Sequence, residues 1–336
     1  MRYVITGGTG FVGSHMIDLV LEKDSEAIIY VLRRWRSDDN NIKHLYGNSR
    51  VVFVEGDLLD RGSLERLISM SNPQYVFHFA SQSYPMSSFV TPIYTLTINV
   101  IGTTNLLEEL KSARDRGVCD PIIISVSSSE VYGNAFPNEV PIKETNPIRP
   151  ANPYSISKVA HDFMSQYYYN AYGLNVITTR MFSHEGSRRG KLFAISNFAF
   201  QIAQHEKDFA TRSVNHKSNT YIIKVGNLHS VRTYSHISDA VEAYWLCAVK
   251  GKIGEVYNIG GQNSHSVGEV LENLLIKSFL NRNCFAIEVD PKRIRPTDIT
   301  LQIPNCDKFK RDTGWVPKKN LDDITNDLLN YWRKNL

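Results

Sequence analysis

The 336-residue sequence predicts an α/β fold, a doubly wound parallel sheet followed by a smaller C-terminal region. The first observation behind this is rhythm. Short runs rich in β-branched residues recur at 3–6, 28–32, 51–55, 75–79, 122–126 and 176–181, and mostly helix-length stretches separate them. Strands spaced in this way pair in parallel, joined by crossover helices. The second observation is that Ile122, Ile123 and Ile124 are consecutive and apolar, which suits a strand covered on both faces. The third is the run Thr6-Gly7-Gly8-Thr9-Gly10-Phe11-Val12-Gly13, set between the first strand and a helical stretch that carries Met16, Leu19 and Val20.

Gly7, Gly10 and Gly13 have distinct uses in such a place. They let the chain turn tightly, let backbone approach a pyrophosphate and let the helix pack close on the strand, while the helix N-terminus attracts the anion. A glycine turn alone is only a turn. The strand before it and the helix after it make it a dinucleotide site and the sheet Rossmann-type. At the end of the second strand, where an NAD site carries an acidic residue for the ribose hydroxyls, the sequence has Arg33-Arg34-Trp35-Arg36. Guanidinium groups there suit a 2′-phosphate through paired, charge-assisted hydrogen bonds, so the expected cofactor is NADP; the competing reading is a solvated basic loop. Asp57 and Leu58, after the third strand, are placed to border the adenine.

Beyond Phe182 the rhythm stops. The stretch 183–222 is rich in Ser, Arg, Asn and His and reads as irregular, and a later strand around Tyr257-Asn258-Ile259 lies among polar segments. The expected organisation is a nucleotide-binding domain over 1–182, rejoined by 232–260, and a substrate-binding region made of 183–231 and 261–336. The tail 321–334 spaces Ile324, Leu328, Leu329 and Trp332 about a helical turn apart, an amphipathic helix that packs.

Bulk properties narrow the partners. Lys plus Arg total 38 against 34 Asp plus Glu, a net charge of +4, too mild for a chain that must neutralise many nucleic-acid phosphates. Cys119, Cys247, Cys284 and Cys306 are scattered without a CxxC pair, so neither a zinc frame nor a disulfide ladder is expected, and no metal. No apolar run reaches the roughly 18 residues of a membrane span, and the start of the chain runs straight into a strand. The expected compartment is the cytoplasm.

Tyr154 and Lys158 stand four apart in a helical stretch, on one face, where the ammonium is expected to lower the phenol's pKa and to help fix a nicotinamide ribose. Such a pair is usually chance. Here it follows the glycine turn and a fifth strand that runs into Ser127-Ser128-Ser129-Glu130, at the sheet edge where open α/β folds bind ligands. Ser128 can hydrogen-bond a sugar oxygen and Glu130 supplies a carboxylate; the bland alternative makes the serines turn formers and Glu130 a surface charge.

These residues resemble the extended short-chain dehydrogenase/reductases, and within them the GDP-mannose 4,6-dehydratases. The likeness runs over nearly the whole chain, through Phe79-Ala80-Ser81-Gln82-Ser83, 99–103, Ser128 to Glu130, Tyr154 and Lys158, His184-Glu185-Gly186-Ser187-Arg188-Arg189-Gly190, 225–232 and Arg295-Pro296-Thr297-Asp298. The H-E-x-x-R-R-G segment discriminates best, because related reductases and epimerases share the Tyr/Lys pair but usually lack it. The resemblance implies an internal redox cycle. Tyr154 takes the C4 hydroxyl proton as hydride passes to NADP, Glu130 removes the C5 proton and assists loss of the C6 hydroxyl, and hydride returns to C6. The product is a 4-keto-6-deoxy sugar nucleotide. The likeness further implies Arg189 at the cofactor, and Ser83, Ser183, Glu185, Arg232 and Arg295 at a GDP-linked sugar.

There are departures from the family pattern. Ser128 replaces a threonine, Ser183 replaces the asparagine before the His-Glu pair, and Ile195-Ser196-Asn197 stand where a Thr-Arg-Lys cluster is usual. Ser81-Gln82-Ser83-Tyr84-Pro85 also resembles the GDP-manno-heptose 4,6-dehydratases, so mannose and manno-heptose both stay open. A 4-reductase or epimerase on the same scaffold is the alternative enzyme, and a non-catalytic NADP-binding regulator the alternative class. By likeness, a homo-oligomer is expected, a dimer through helices near 94–115 and 154–171 or a tetramer through the Arg188-Arg189 loop.

Overall fold

The structure is a computed structural model that describes residues 1–211 and 220–336. Its centre is a sheet built from β1 (Arg2–Thr6), β2 (Ile28–Arg33), β3 (Val51–Glu55), β4 (Tyr75–His78), β5 (Ile122–Val126) and β6 (Val176–Met181). Each lies within one residue of the run that predicted it. The short strands β7 (His184–Glu185), β8 (Tyr221–Val225), β9 (Val231–Thr233) and β10 (Ser235–His236) follow, and then β11 (Val256–Ile259) returns to pair with β6. The seven strands run parallel in the order β11-β6-β5-β4-β1-β2-β3. Strand order reverses between β1 and β4, which opens a crevice at their carboxyl ends.

The helices are α1 (Phe11–Lys23), α2 (Arg61–Ser71), α3 (Pro85–Val90), α4 (Pro92–Leu96), α5 (Gly102–Asp115), α6 (Pro153–Tyr172), α7 (Ala194–Thr211), α8 (Ile237–Lys250), α9 (Val267–Ile276), α10 (Asp307–Thr313) and α11 (Leu321–Asn335). Successive strand residues point to opposite faces, and the core follows that alternation. Ile5, Val31, Phe77, Ile124 and Ile177 bury against Met16 and Ile17 of α1 and Tyr244 of α8. Their neighbours Val4, Leu32, Val76, Ile123 and Val176 bury against Leu64 of α2, Leu106 and Leu110 of α5 and Tyr168 of α6. Each such aliphatic side chain contributes roughly 1.5–3 kcal/mol by leaving water. The double winding is therefore written in which residues are apolar on each strand.

The stretch expected to be irregular holds α7. Its polar composition hides a helical period, since Ile195, Phe198, Ala199, Ile202 and Ala203 share a buried face that meets Val270 and Leu274 of α9 and Leu328 of α11. The remainder of that stretch, 212–219, lies outside the described residues. β8 pairs with β13 (Phe285–Val289), and β9 lies between β12 (Ser264–Ser266) and β14 (Leu301–Gln302). The tail is helical as expected, with Ile324, Leu328 and Leu329 buried. Phe309 and Trp315, late in the chain, pack back into the sheet core beside Tyr257. The helix expected over 94–115 is not uniform: a π turn at Thr97–Ile101 joins α4 to α5.

Candidate active site

A cavity of about 510 Å³ opens at the carboxyl ends of β1, β4, β5 and β6 and is roofed by the smaller region. At one end lies the glycine turn. Gly7 adopts φ +72°, and a Cβ on Gly13 would stand 2.3 Å from the Gly7 carbonyl oxygen, so α1 approaches β1 only because Gly13 has no side chain. No side chain caps α1 at Gly10, which leaves the first-turn N–H groups for an anion. This cradle fits the pyrophosphate of a dinucleotide.

Arg33, Arg34, Asp57 and Leu58 do not line the cavity itself. Arg33 donates to Asp39 Oδ2 at 3.2 Å and to the Tyr46 hydroxyl at 3.1 Å, so its guanidinium is already engaged. Arg34 is exposed, with one long contact of 3.5 Å to the Tyr94 hydroxyl, and is the freer cation. Asn41 donates to the Thr9 carbonyl at 3.2 Å and so ties this basic loop to the glycine turn. Asp57 accepts from the Leu59 N–H at 3.0 Å, and the Leu58 side chain is packed in the core under Gly102.

α6 positions Tyr154 and Lys158. Pro153 opens the helix and Asn152 caps it, its Oδ1 accepting from Ser155 N at 2.8 Å. That start places Tyr154 and Lys158 in the first two turns, both buried and both in the cavity wall. Lys158 Nζ donates to the Val126 carbonyl at 2.8 Å, and burial brings its pKa down to about 8. The expected lowering of the phenol by this ammonium is not found. Burial first, and then the Glu130 charge, push Tyr154 up, with Ser128 and Arg189 opposing. The ammonium is spent on a carbonyl, and desolvation outweighs the remaining help.

The short turn Ser129–Tyr132 follows β5, and Ser128 caps it by accepting from Glu130 N at 3.2 Å. Glu130 is buried, with Oε2 accepting from Asn152 Nδ2 at 3.0 Å and Oε1 3.8 Å from Arg295 Nη1. Arg295 also lies 3.8 Å from Asp298, so it stands between two carboxylates inside the cavity. Arg232 lines the same wall and donates to the Ile299 carbonyl at 2.9 Å. Ser83 and Ser183 line it too.

Opposite lie the residues of the H-E-x-x-R-R-G segment. The Arg189 guanidinium sits 3.5 Å from the centre of the Phe193 ring and 5.0 Å from that of Phe11. Its Nε is 3.6 Å from Glu185 Oε2, and neither atom has a hydrogen-bond partner. Burial pushes the Glu185 carboxyl up to about 7, with Arg189 pulling the other way. Burial, then Arg189, bring His184 down to about 4. Arg188, at φ +66°, turns outward and donates to Asp18 of α1 at 2.7 Å.

Two groups escaped the sequence reading. Asn152 is one; its signal is an Asn directly before a Pro that opens a helix. The other is a buried chain behind Lys158. Thr6 Oγ1 meets His78 Nδ1 at 2.7 Å, His78 Nε2 meets Thr103 Oγ1 at 2.9 Å, Thr103 Oγ1 meets His161 Nδ1 at 2.9 Å, and His161 Nε2 meets Ser125 Oγ at 2.8 Å. Burial lowers both imidazoles, His78 to about 3, and the nearby Lys158 charge lowers them further. Among the described residues no cluster of His, Cys, Asp and Glu could hold a metal ion, and no helix is long and apolar enough to cross a membrane.

A parallel sheet wound on both faces, with a glycine turn at its switch point and a Tyr/Lys pair on the helix beside β5, defines the class: a Rossmann-type fold of the short-chain dehydrogenase/reductase kind. Within that class, the family model for GDP-mannose 4,6 dehydratase matches residues 4–328, and the chain belongs to this family. It is 29% identical to GDP-mannose 4,6 dehydratase 1 of Arabidopsis thaliana over 96% of this chain and 86% of that one. With the Drosophila melanogaster GDP-mannose 4,6 dehydratase it shares 27% identity over 97% and 84%. Among solved structures, DesIV, a dTDP-glucose 4,6-dehydratase from Streptomyces venezuelae with NAD and TYD bound, superposes with a TM-score of 0.85 at 26% identity, covering 100% of this chain and 98% of that one. RMD from Pseudomonas aeruginosa, complexed with NADPH, superposes at 0.80 with 26% identity, covering 100% of both chains.

Proposed function

We propose that the chain is a sugar-nucleotide 4,6-dehydratase that converts a GDP-linked hexose or heptose, GDP-mannose or GDP-manno-heptose, to its 4-keto-6-deoxy form with NADP as cofactor. The observation that carries this reading is Glu130, a buried carboxylate in the same cavity as Tyr154 and Lys158, close enough for its charge to raise the phenol. A 4-reductase or epimerase needs the Tyr/Lys pair alone. A dehydratase needs a second base for C5. Family membership and the relatives' names support the same reading.

The chain's own residues divide the work. Tyr154, as the phenolate, accepts the C4 hydroxyl proton, with the Ser128 hydroxyl holding the sugar oxygen; Ser128 and Arg189 are the chain's own groups that oppose the burial-driven rise of the phenol. NADP, when bound, would supply a hydride acceptor for C4 and a hydride donor for C6. The glycine turn and α1 would hold its pyrophosphate, Arg34 with Arg33 its 2′-phosphate, Arg189 its neighbouring phosphates, and Asp57 with the Leu58 backbone its adenine side. Once C4 is a ketone the C5 proton is acidic, and Glu130 takes it and passes it to the departing C6 hydroxyl, which leaves as water; when C6 is reduced, C5 regains a proton from solvent through Glu130. Arg232 and Arg295 supply guanidinium groups for the diphosphate of the substrate, and Ser83, Ser183 and Glu185 supply polar contacts to the sugar.

The same reading divides the chain into a nucleotide-binding part, 1–182 with 232–260, and a substrate part, 183–231 with 261–336, although Phe309 and Trp315 of the latter pack into the sheet core and β9, mostly in the former, pairs with β12 and β14. It also includes a homo-oligomer, a dimer through the helices near 94–115 and 154–171, where Tyr94, Ile101, Ile156, Phe163 and Tyr167 are large, apolar or aromatic, and exposed, or a tetramer through the Arg188-Arg189 loop. Four free cysteines suit the cytoplasm. The test is direct: protein and NADP are incubated with GDP-mannose or GDP-manno-heptose and the products weighed by mass spectrometry. Loss of one water is expected with one of the two sugars. Conversion without loss of water, or turnover only with another nucleotide, would overturn the reading.

A further inference from the structure

Asn152 sits where two demands meet. As the cap of α6, it uses Oδ1 to accept from Ser155 N at 2.8 Å, and its own N–H donates to Ser155 Oγ at 2.9 Å. Its amide nitrogen takes no part in that cap. It turns the other way and donates to Glu130 Oε2 at 3.0 Å. Both residues are buried, at 4% and 8% exposure, so water does not substitute freely for this contact. The other carboxylate oxygen faces Arg295 Nη1 at 3.8 Å, beyond hydrogen-bond reach. Among the described residues, Asn152 therefore makes the one hydrogen bond to the Glu130 carboxylate.

A carboxylate on a flexible side chain attacks a particular C–H bond well only if something fixes its direction, and misplacement of about 1 Å can cost roughly a hundredfold in rate. We infer that Asn152 is a positioning residue for the elimination step: one end of its amide starts the helix that carries Tyr154 and Lys158, and the other end aims Glu130. The base for C5 is thereby fixed relative to the base for C4 through a single side chain. This rests on the reading of Glu130 as the C5 base. Residue chemistry supports the double duty. Ser and Asp cap helices about as well as Asn, but Ser is too short to hold the cap and reach Glu130 at once, and an ionised Asp has no proton to donate.

Asn152→Ser separates the two roles, because it keeps the cap and withdraws the donor. The protein, loaded with NADP, is given GDP-mannose and GDP-manno-heptose, and melting temperature, KM, 6-deoxy product and nicotinamide absorbance are followed together. We expect an unchanged KM, a melting temperature within a few degrees of the parent, and product formation down by roughly tenfold or more, the loss expected for one hydrogen bond to a charged group. Reduced nicotinamide should build up, since oxidation at C4 continues while elimination lags. Asn152→Thr keeps the cap, adds no charge and is likewise too short to donate to Glu130, and it is read in the same way if the Ser variant does not fold. Parental product formation without accumulated NADPH would overturn the inference, as would a parallel fall of oxidation, elimination and melting temperature, which marks a helix cap and nothing more. Glu130→Gln tells the two failures apart. If it stalls while Asn152→Ser does not, only the role of Asn152 falls; if it turns over like the parent, the reading of Glu130 falls with it.

Discussion

On the β5–α6 side of the cavity Lys158 and Glu130 are tied into the chain: Lys158 to the Val126 carbonyl at 2.8 Å, and Glu130 to Asn152 at 3.0 Å. Across from it, Glu185 and Arg189 face each other at 3.6 Å with Glu185 Oε2 and Arg189 Nε lacking hydrogen-bond partners, and at the rim Arg34 has only a 3.5 Å contact. A buried group without a partner is costly, and proteins keep such groups where a ligand completes them. The first side holds its geometry in advance of the chemistry. Under the proposed function, the second side is the one that a ligand would complete.

The comparison breaks most sharply at the reacting groups. Tyr154→Phe keeps the ring and its packing, so folding and NADP binding should persist while oxidation at C4 falls by roughly 10²–10⁴, the usual range for a lost general base. Single-turnover absorbance with substrate measures it, and a variant nearly as fast as the parent would place the base elsewhere. Glu130→Gln should let that first step proceed and stop the second. NADPH then persists, little 6-deoxy product appears, and C5 exchanges slowly with deuterated solvent. Unimpaired release of 6-deoxy product would instead direct attention to Glu185.

The ligand-completed side should respond through affinity and pH. Arg34→Ala should weaken NADP by ~10-fold or more and leave NAD nearly unchanged, from the strength of a hydrogen bond between charged groups. Titration calorimetry with both cofactors checks this, and equal affinity of the parent for NAD and NADP would remove the basis for it. The last effect is on stability and not on the reaction, and concerns Glu185, whose carboxyl burial raises to about 7 against an ordinary 4.5. The folded chain then holds a proton that the unfolded chain has released, so stability present below the ordinary value is lost as pH rises toward 7. The buried neutral imidazoles act oppositely, losing stability as pH falls below 6.5, so the comparison must be with the parent at each pH. Without NADP, Glu185→Gln should gain on the parent between about pH 5 and 7, by roughly 1–3 kcal/mol. A difference independent of pH would mean the carboxyl is not held protonated.

The parts legible in the sequence are those fixed by local pattern. β3, β5 and β6 start and stop where their β-branched runs do, though only β5 is a central strand with consecutive apolar residues; β3 lies at the sheet edge, and β6 buries Thr178, Thr179 and Arg180 among its apolar residues. Tyr154 and Lys158 could be found because four residues is one helical turn. α7 was hidden because Ser196, Asn197 and Gln201 dilute its apolar stripe, although Ile195, Phe198, Ala199 and Ile202 keep the spacing. The engagement of Arg33 with Asp39, and of Arg295 with Glu130, depends on tertiary placement. Arg295 and Glu130 are far apart in the chain, and no spacing rule connects them.

The chain of hydroxyls and imidazoles behind Lys158 has a consequence for how this protein can vary. Thr103 has one hydroxyl proton and gives it to the Asn99 carbonyl, an acceptor only, at 2.8 Å. Both imidazoles must then donate to Thr103, which makes His78 the Nε2–H tautomer and His161 the Nδ1–H tautomer. Thr6 and Ser125 must in turn supply protons to the remaining ring nitrogens. One side chain thus sets the direction of two arrows that meet on α5, one from β1 through β4 and one from β5 through α6. A lineage that replaced Thr103 by Val would strand two ring N–H groups at once, so these five positions should drift together, as a word is respelled, and not letter by letter.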